Sequence, residues 1–411
     1  MTTASDPRRA LLQAYRAALA AVDGRSRVRD FLATRPVVTR RVVAIGKAAA
    51  AMTLGALDAG GVESALVITK HGYHAPALRG RATVMEAGHP LPDEASLAAG
   101  EALFEFIRAA PAEHPFLFLL SGGSSALVEV LPEGMTLADL VRVNTHLLGA
   151  GLDIAAMNQV RKRISRIKQG RLARVLAGRP TLCLLISDVP GDEPSVIGSG
   201  PLVPDPHAQL PLPSLPADID ALLADSMPPA PDDPCFRTIE THVIASNRDA
   251  RDAAARAAGE AGISVIVHDS LLTGDVAEVA RQVTDALIAS GSGLHMWGGE
   301  ATLRLPPEPG RGGRCQHLAL LVAARIAGHD GISVLAAGTD GSDGPGEDAG
   351  ALVDGYTFKR GEDGGYRLDE SIARADAGSF LEASGDLIAT GPTGTNVMDL
   401  ILGLRMQEVR K

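Results

Sequence analysis

Aromatic side chains are scarce in this chain: 8 Phe, 4 Tyr and one Trp make up only 3% of its 411 residues. Its cores must therefore be built from Ala, Leu, Val and Ile. Cysteine is rarer still. Cys183, Cys235 and Cys315 show neither pairing nor metal-ligand spacing, which excludes a disulfide framework and suits a reducing cytosol. Positive charge is in deficit, with 39 Lys and Arg against 49 Asp and Glu and a net charge of −10. That balance argues against nucleic acid or an anionic membrane as the main partner, so an anionic ligand needs a local cationic site. No apolar run reaches ~18 residues, so no bilayer span is expected. The opening MTTASDPRRALLQAY lacks the apolar core of a signal peptide, and the chain reads as cytoplasmic. Glycine is abundant instead: 45 residues, about 11% of the chain, against a usual ~7%. Glycine costs folding entropy unless its backbone freedom is used.

The length suits two large domains or three small ones. Short apolar runs alternate with alanine-rich helical stretches. Strands are expected at Arg41–Ile45, Ala65–Thr69, Thr83–Glu86, Phe116–Leu120 and Thr181–Ser187, and helices at Lys47–Leu57, Asp93–Ala109 and Leu137–Leu148. Thr136 and Asp139 form a capping box ahead of the last helix. Such alternation predicts a mostly parallel sheet covered on both faces. Six prolines in residues 201–216 and a second cluster at 228–234 mark a boundary, because proline cannot sit inside a sheet. The alternation restarts with strands at His242–Ala245, Ser264–Val267, Leu294–Trp297 and Ser333–Ala337. The expected fold is α/β, with two αβα domains, the first Rossmann-like. Their predicted extents are 1–235 and 236–389, and a C-terminal helical segment, 390–411, returns toward the first.

In α/β sheets ligands gather where strand ends meet helix N-termini, and those junctions carry the charge here. Lys47 stands in the first turn after Arg41–Ile45; Arg41 occupies the place a P-loop reserves for glycine. Ser121-Gly122-Gly123-Ser124-Ser125 ends a strand with bare amides and hydroxyls, an anion cradle. Gly122–Ala126 lacks only the last glycine of a hydrolase nucleophile elbow, but none of His242, His268, His295 and His317 is marked as its base. Six cations fall within residues 161–171, following Asn158, with Arg161 and Lys168 on one helical face; at least one should point into a site. Asp188 and Asp192 follow a buried strand and suit a magnesium ion or a hydroxyl proton. Farther on, Gly299-Glu300 and Gly312-Gly313-Arg314 bring glycine and guanidinium together at a helix start, a strong anion site. Asp340 and the Thr393–Asn396 turn complete the set. Gly344–Ala349 matches the loose dinucleotide fingerprint, yet Glu347 and Asp348 would repel a pyrophosphate.

Together the segments GKAA (46–49), SGGSSAL (121–127), MNQVRKRISRIKQGRLA (157–173), SDVPGDEPSVIGSGP (187–201), GGEATL (298–303), GRGGRCQHLAL (310–320), AAGTDGSDGP (336–345) and TGPTGTNVMDL (390–400) resemble, in order, the glycerate 2-kinase family. That family is also met as hydroxypyruvate reductase of tartrate-utilisation operons, and its second domain carries a leucine-rich segment. The resemblance implies a site in the inter-domain cleft and ATP-dependent phosphorylation of D-glycerate at its 2-hydroxyl, giving 2-phosphoglycerate and ADP with Mg²⁺. By position Lys47, Arg314 and Asp188 match the catalytic residues, and Ser124, Ser125, Asn158 and Arg161 the substrate contacts. Gly122, Gly123, Gly299, Glu300, Gly312, Gly313, Asp340, Thr393 and Asn396 match the nucleotide cradle, and Asp188 with Asp192 the metal site. Cys315 replaces the family's Asn and Arg163 a frequent His. Lys47 and Arg314 are expected to clamp the transferring phosphoryl group, since such catalysis is positioning and charge neutralisation. The expected partners are D-glycerate and ATP, in a monomer or homodimer; an NAD(P)H-dependent hydroxypyruvate reductase is the alternative.

Overall fold

In the computed structural model the described residues are 6–406, apart from 37, 74, 150–153, 209 and 224–226. The chain divides into two compact units, one of Gly24–Ile244 and one of Met1–Asp23 with Ala245–Lys411.

The Gly24–Ile244 unit is built on strands β1 (Arg40–Ile45), β2 (Val62–Lys70), β3 (Thr83–Ala87), β4 (Phe116–Leu120), β5 (Thr181–Ile186) and β6 (Ile239–Ala245). Their order is β3-β2-β1-β4-β5-β6, and the pairs from β3 through β5 are parallel. All five residues of β4 are buried, as a strand covered on both faces requires. Helix Glu94–Arg108 starts from an Asp93–Ser96 capping box and lays Ala99, Leu103, Phe104 and Ile107 on the sheet. The strand order reverses between β1 and β4, the place where doubly wound sheets take their ligands. Beside the sheet a smaller cluster of Leu140, Val143, Leu147, Val160, Ile164 and Ile219 packs helices Leu137–Gly149 and Ile154–Arg163 together. The capping box expected at Thr136 is present: Thr136 Oγ1 donates to Asp139 Oδ2 at 2.7 Å.

The second unit carries β7 (Val265–Val267), β8 (Leu272–Asp275), β9 (Gly293–Thr302), β10 (Ile332–Gly338), β11 (Asp348–Asp354), β12 (Leu387–Ala389) and β13 (Asp399–Arg405). The order is β12-β11-β10-β13-β9-β7, with β8 beside the end of β9. Unlike the first sheet it is mixed: β7 and β8 run parallel to β9, whereas β13 runs antiparallel to both β9 and β10. The expected C-terminal helix is therefore a strand for residues 399–405, set in the middle of this sheet. Gly403 permits that position, because a side chain there would meet Leu287. The predicted division also shifts. Strand β6 lies beside β5 rather than opening the second unit, and both proline clusters fall inside Gly24–Ile244. The N-terminal helix Pro7–Ala21 groups with the second unit, burying Leu11, Tyr15 and Ala18 and donating from Tyr15 Oη to the Gly338 carbonyl at 2.7 Å.

Candidate active site

At the β1–β4 reversal two turns interlock. Gly46 takes φ of +129°, and a side chain there would collide with Ser121. Ser121 Oγ accepts from the Ala48 amide at 3.0 Å, and the Lys47 amide donates to the Gly122 carbonyl at 2.9 Å. Gly123, with φ of +85°, opens helix Ser124–Leu127; a Cβ at Gly123 would lie 2.9 Å from the His89 ring and 3.6 Å from Lys47 Cγ. The half-buried Lys47 chain thus passes beside Gly123.

Beside this cradle lies a cavity of about 430 Å³. It is lined by Gly123, Ser125, Asn158, Arg161 and Asp188, all predicted site residues, by Lys168 of the cation-rich segment, and by His89, Glu129, Asn144 and Ser199, which were not singled out. Ser125 Oγ and Ser199 Oγ are 2.9 Å apart. Gly198, Ser199 and Gly200 all adopt left-handed φ, and a side chain at Gly198 would strike Ser124 Oγ. Ser124 itself is buried beneath the cavity, its hydroxyl unpartnered among the described residues. Among the described residues no histidine hydrogen-bonds that hydroxyl, and His242 pairs with Glu240 instead, so they supply no base for a hydrolase elbow.

The cation-rich segment divides by partner. Arg161 Nε donates to Asn144 Oδ1 at 2.8 Å and its Nη1 reaches Asn158 Oδ1 at 3.5 Å. Both partners are neutral amides, so no described carboxylate offsets its charge. Burial lowers its pKa, though a guanidinium stays charged at neutral pH. Lys168 Nζ pairs with Glu129 Oε2 at 2.8 Å, and Lys162 Nζ with Asp205 Oδ2 at 2.8 Å. Arg171 Nη1 caps the Lys162 and Lys168 carbonyls, and Arg166 lies over the Phe104 ring. The expected shared helical face of Arg161 and Lys168 does not exist, because the helix ends at Arg163. The chain turns back at Gln169 and Gly170, both at positive φ, and Lys168 reaches the cavity from that turn.

Asp188, two residues beyond the end of β5, lines the cavity; Asp192 does not. Among the described residues no three His, Cys, Asp or Glu side chains cluster as a metal site. Of the expected Asp188–Asp192 pair, Asp188 alone belongs to the cavity lining. That donor set fits a magnesium ion held mainly by nucleotide phosphates and water, the usual magnesium arrangement.

In the second unit the predicted residues converge at one end of the mixed sheet. Gly299 faces Asp399 across the β9–β13 pair. Gly313 abuts Asp343, and a side chain at Gly338 would meet Asp340 Oδ1 at 3.3 Å and Asp399 Oδ1 at 3.6 Å. Arg314, first residue of helix Arg314–Arg325, grips Asp399 with Nε at 2.7 Å and Nη2 at 3.0 Å, while Nη1 meets Glu300. Burial works against its charge, and Asp399 and Glu300 outweigh that, holding its pKa above the usual arginine value. Arg314, expected to clamp the phosphoryl group, is here an ion-paired arginine. Asp343 accepts from the Cys315 and Gln316 amides at 3.0 and 2.8 Å, so backbone fixes this turn and Cys315 needs no amide side chain. Burial raises the Asp343 carboxyl to about 7, against those two bonds. Thr393 Oγ1 donates to the Thr339 carbonyl, and Asn396 is buried. Gly344–Ala349 runs into β11, a strand, so this fingerprint offers no helix N-terminus to a pyrophosphate. No helix among the described residues is long and apolar enough to cross a membrane.

Residues 10–212 match a family described as a domain of unknown function (DUF4147), and residues 293–399 match the MOFRL family. A protein of Agrobacterium vitis, provisionally named hydroxypyruvate reductase, is 37% identical over 96% of this chain and 93% of its own. The D-glycerate 2-kinase of Thermotoga maritima is 33% identical over 88% of this chain and 90% of its own. The crystal structure of a glycerate kinase from Thermotoga maritima superposes with a TM-score of 0.83 at 30% identity, covering 97% of this chain and 99% of that one.

Proposed function

Since the chain belongs to the glycerate 2-kinase family, we propose that it transfers the γ-phosphoryl group of ATP to the 2-hydroxyl of D-glycerate, and that the cavity beside β1 and β4 receives the acid. The observation that carries the substrate assignment is Arg161: an arginine held by two neutral amides keeps its full charge for a carboxylate. With the carboxylate on Arg161, Asp188 in the same lining orients the 2-hydroxyl and accepts its proton as the oxygen attacks. The new phosphorus–oxygen bond forms while the bond to the β-phosphate oxygen breaks, giving 2-phosphoglycerate and ADP. The amides of Gly122 and Gly123 and the ammonium of Lys47 supply positive potential for the charge on the transferring group.

Magnesium, held by Asp188 and nucleotide phosphates, would neutralise phosphate charge. Gly299, Glu300, Gly312, Gly313, Arg314, Asp340, Thr393 and Asn396 are assigned to the nucleotide. For Arg314 the assignment has a specific form: Asp399, almost fully buried, keeps the guanidinium oriented, and a phosphate oxygen replaces the exposed Glu300 at Nη1.

The reductase reading gains nothing from the fold, because its fingerprint runs into a strand rather than a helix. A coupled assay separates the two. With ATP, Mg²⁺ and D-glycerate the protein should release ADP and one equivalent of 2-phosphoglycerate, and with hydroxypyruvate it should leave NADH and NADPH unoxidised. Nicotinamide oxidation without ADP release would overturn the kinase assignment.

A further inference from the structure

The cavity contains an ion pair that the proposed reaction does not use. Lys168 is 6% exposed and Glu129 1%, yet both line the space beside Arg161 and Asp188. Glu129 is held rigidly: its Oε1 accepts from Ser165 Oγ at 2.6 Å and from the Val130 amide at 3.0 Å, and its Oε2 from Lys168 Nζ at 2.8 Å. A lysine ammonium has three donors and a carboxylate about four acceptor positions, so the pair has bonding capacity left over. Burying two charges is costly, and an apolar pair of similar volume is often no less stable. Stability alone therefore gives little reason for placing the pair on a cavity wall.

The two cations offer different chemistry. Arg161 has uncompensated charge and suits an anion. Lys168 is neutralised by Glu129, and an ammonium beside a carboxylate suits a hydroxyl, which accepts from one and donates to the other. On the kinase reading, on which this step rests, Arg161 takes the carboxylate of D-glycerate and Asp188 its reacting 2-hydroxyl; the 3-hydroxyl is left. We propose that Lys168 binds the 3-hydroxyl of D-glycerate and thereby sets specificity against 2-hydroxy acids that lack it, with Glu129 as the residue that positions Lys168.

The test compares D-glycerate with D-lactate, which carries a methyl group in place of the hydroxymethyl, by kcat/KM and by calorimetric binding. A site built to bond a hydroxyl rejects the analogue lacking it by about 10⁴-fold. In Lys168→Met that preference should fall to roughly tenfold or less, mainly through weaker use of D-glycerate. Because Lys168→Met leaves Glu129 buried and unpaired, the double variant Glu129→Gln/Lys168→Met, lacking both charges, is measured beside it, with thermal unfolding of each. A purely structural pair would lower kcat/KM for both acids together. An unchanged preference in a folded variant overturns the proposal while the kinase reading stands. Wild-type protein that neither binds nor phosphorylates D-glycerate overturns both.

Discussion

Lys47→Ala should lower turnover of D-glycerate and ATP by about 10²–10³-fold or more, the usual cost of removing a group aimed at charge developing in a transition state. The position explains the size of the effect. Lys47 stands in the first turn after a strand buried over its last four residues, at the reversal of strand order, with its chain against Gly123. The backbone of that turn is fixed independently of the side chain, by the bonds from the Lys47 amide to Gly122 and from the Ala48 amide to Ser121 Oγ. Truncation should therefore spare the fold, and the thermal midpoint should remain close to that of the parent protein. Steady-state kinetics with purified variant and parent decide the matter. Turnover within a few-fold of the parent would remove Lys47 from the transition state.

Asp205→Ala should be the most damaging of the simple stability mutations in the Gly24–Ile244 unit, costing about 3–5 kcal/mol because it leaves a buried ammonium without its counter-charge. Asp205 is 3% exposed and accepts from Lys162 Nζ at 2.8 Å, Gln169 Nε2 at 3.1 Å and the His207 amide at 2.8 Å. Burial pushes the Asp205 carboxyl up, but Lys162 and these hydrogen bonds outweigh it and the net shift is downward. A carboxyl whose pKa is lowered on folding contributes stability that is fully present above its unfolded pKa, near 4. That contribution is lost as pH falls through the lower folded value. Denaturant unfolding at pH 7 should show the full loss, and the difference between parent and variant should shrink below about pH 4. Asp205→Ala/Lys162→Met, which removes both charges, should recover much of the loss. A single variant within 1 kcal/mol of the parent would show the pair to be solvated.

Where a segment announces itself locally, the sequence was sufficient. Phe116–Leu120 and Thr181–Ile186 are continuous apolar runs between breakers and form β4 and β5. Thr136 and Asp139 cap their helix as their spacing requires. Residues 400–404, LILGL, are also an apolar run, but a short apolar run does not distinguish helix from strand. Its identity as β13 is decided by pairing with β9 and β10, elements distant in the chain. Strand β6 was found, but its neighbour was not, because sheet membership is a long-range property.

The candidate site divides in the same way. Lys47, Ser125, Asn158, Arg161 and Asp188 follow strand ends or helix spacing and could be singled out. Glu129 has no motif around it, and Lys168 reaches the cavity through a turn rather than a helical face. Arg314 stood out among its glycines, yet the carboxylate that grips it, Asp399, lies 85 residues farther on. A buried charge commonly has a partner, and nothing local shows which one it is.

The most direct test of this account is a crystal structure of the protein with D-glycerate bound. The carboxylate should lie on the Arg161 guanidinium between Asn144 and Asn158, with the 2-hydroxyl at Asp188. Glycerate bound outside this cavity, or lying in it with its carboxylate away from Arg161, would contradict the assignment.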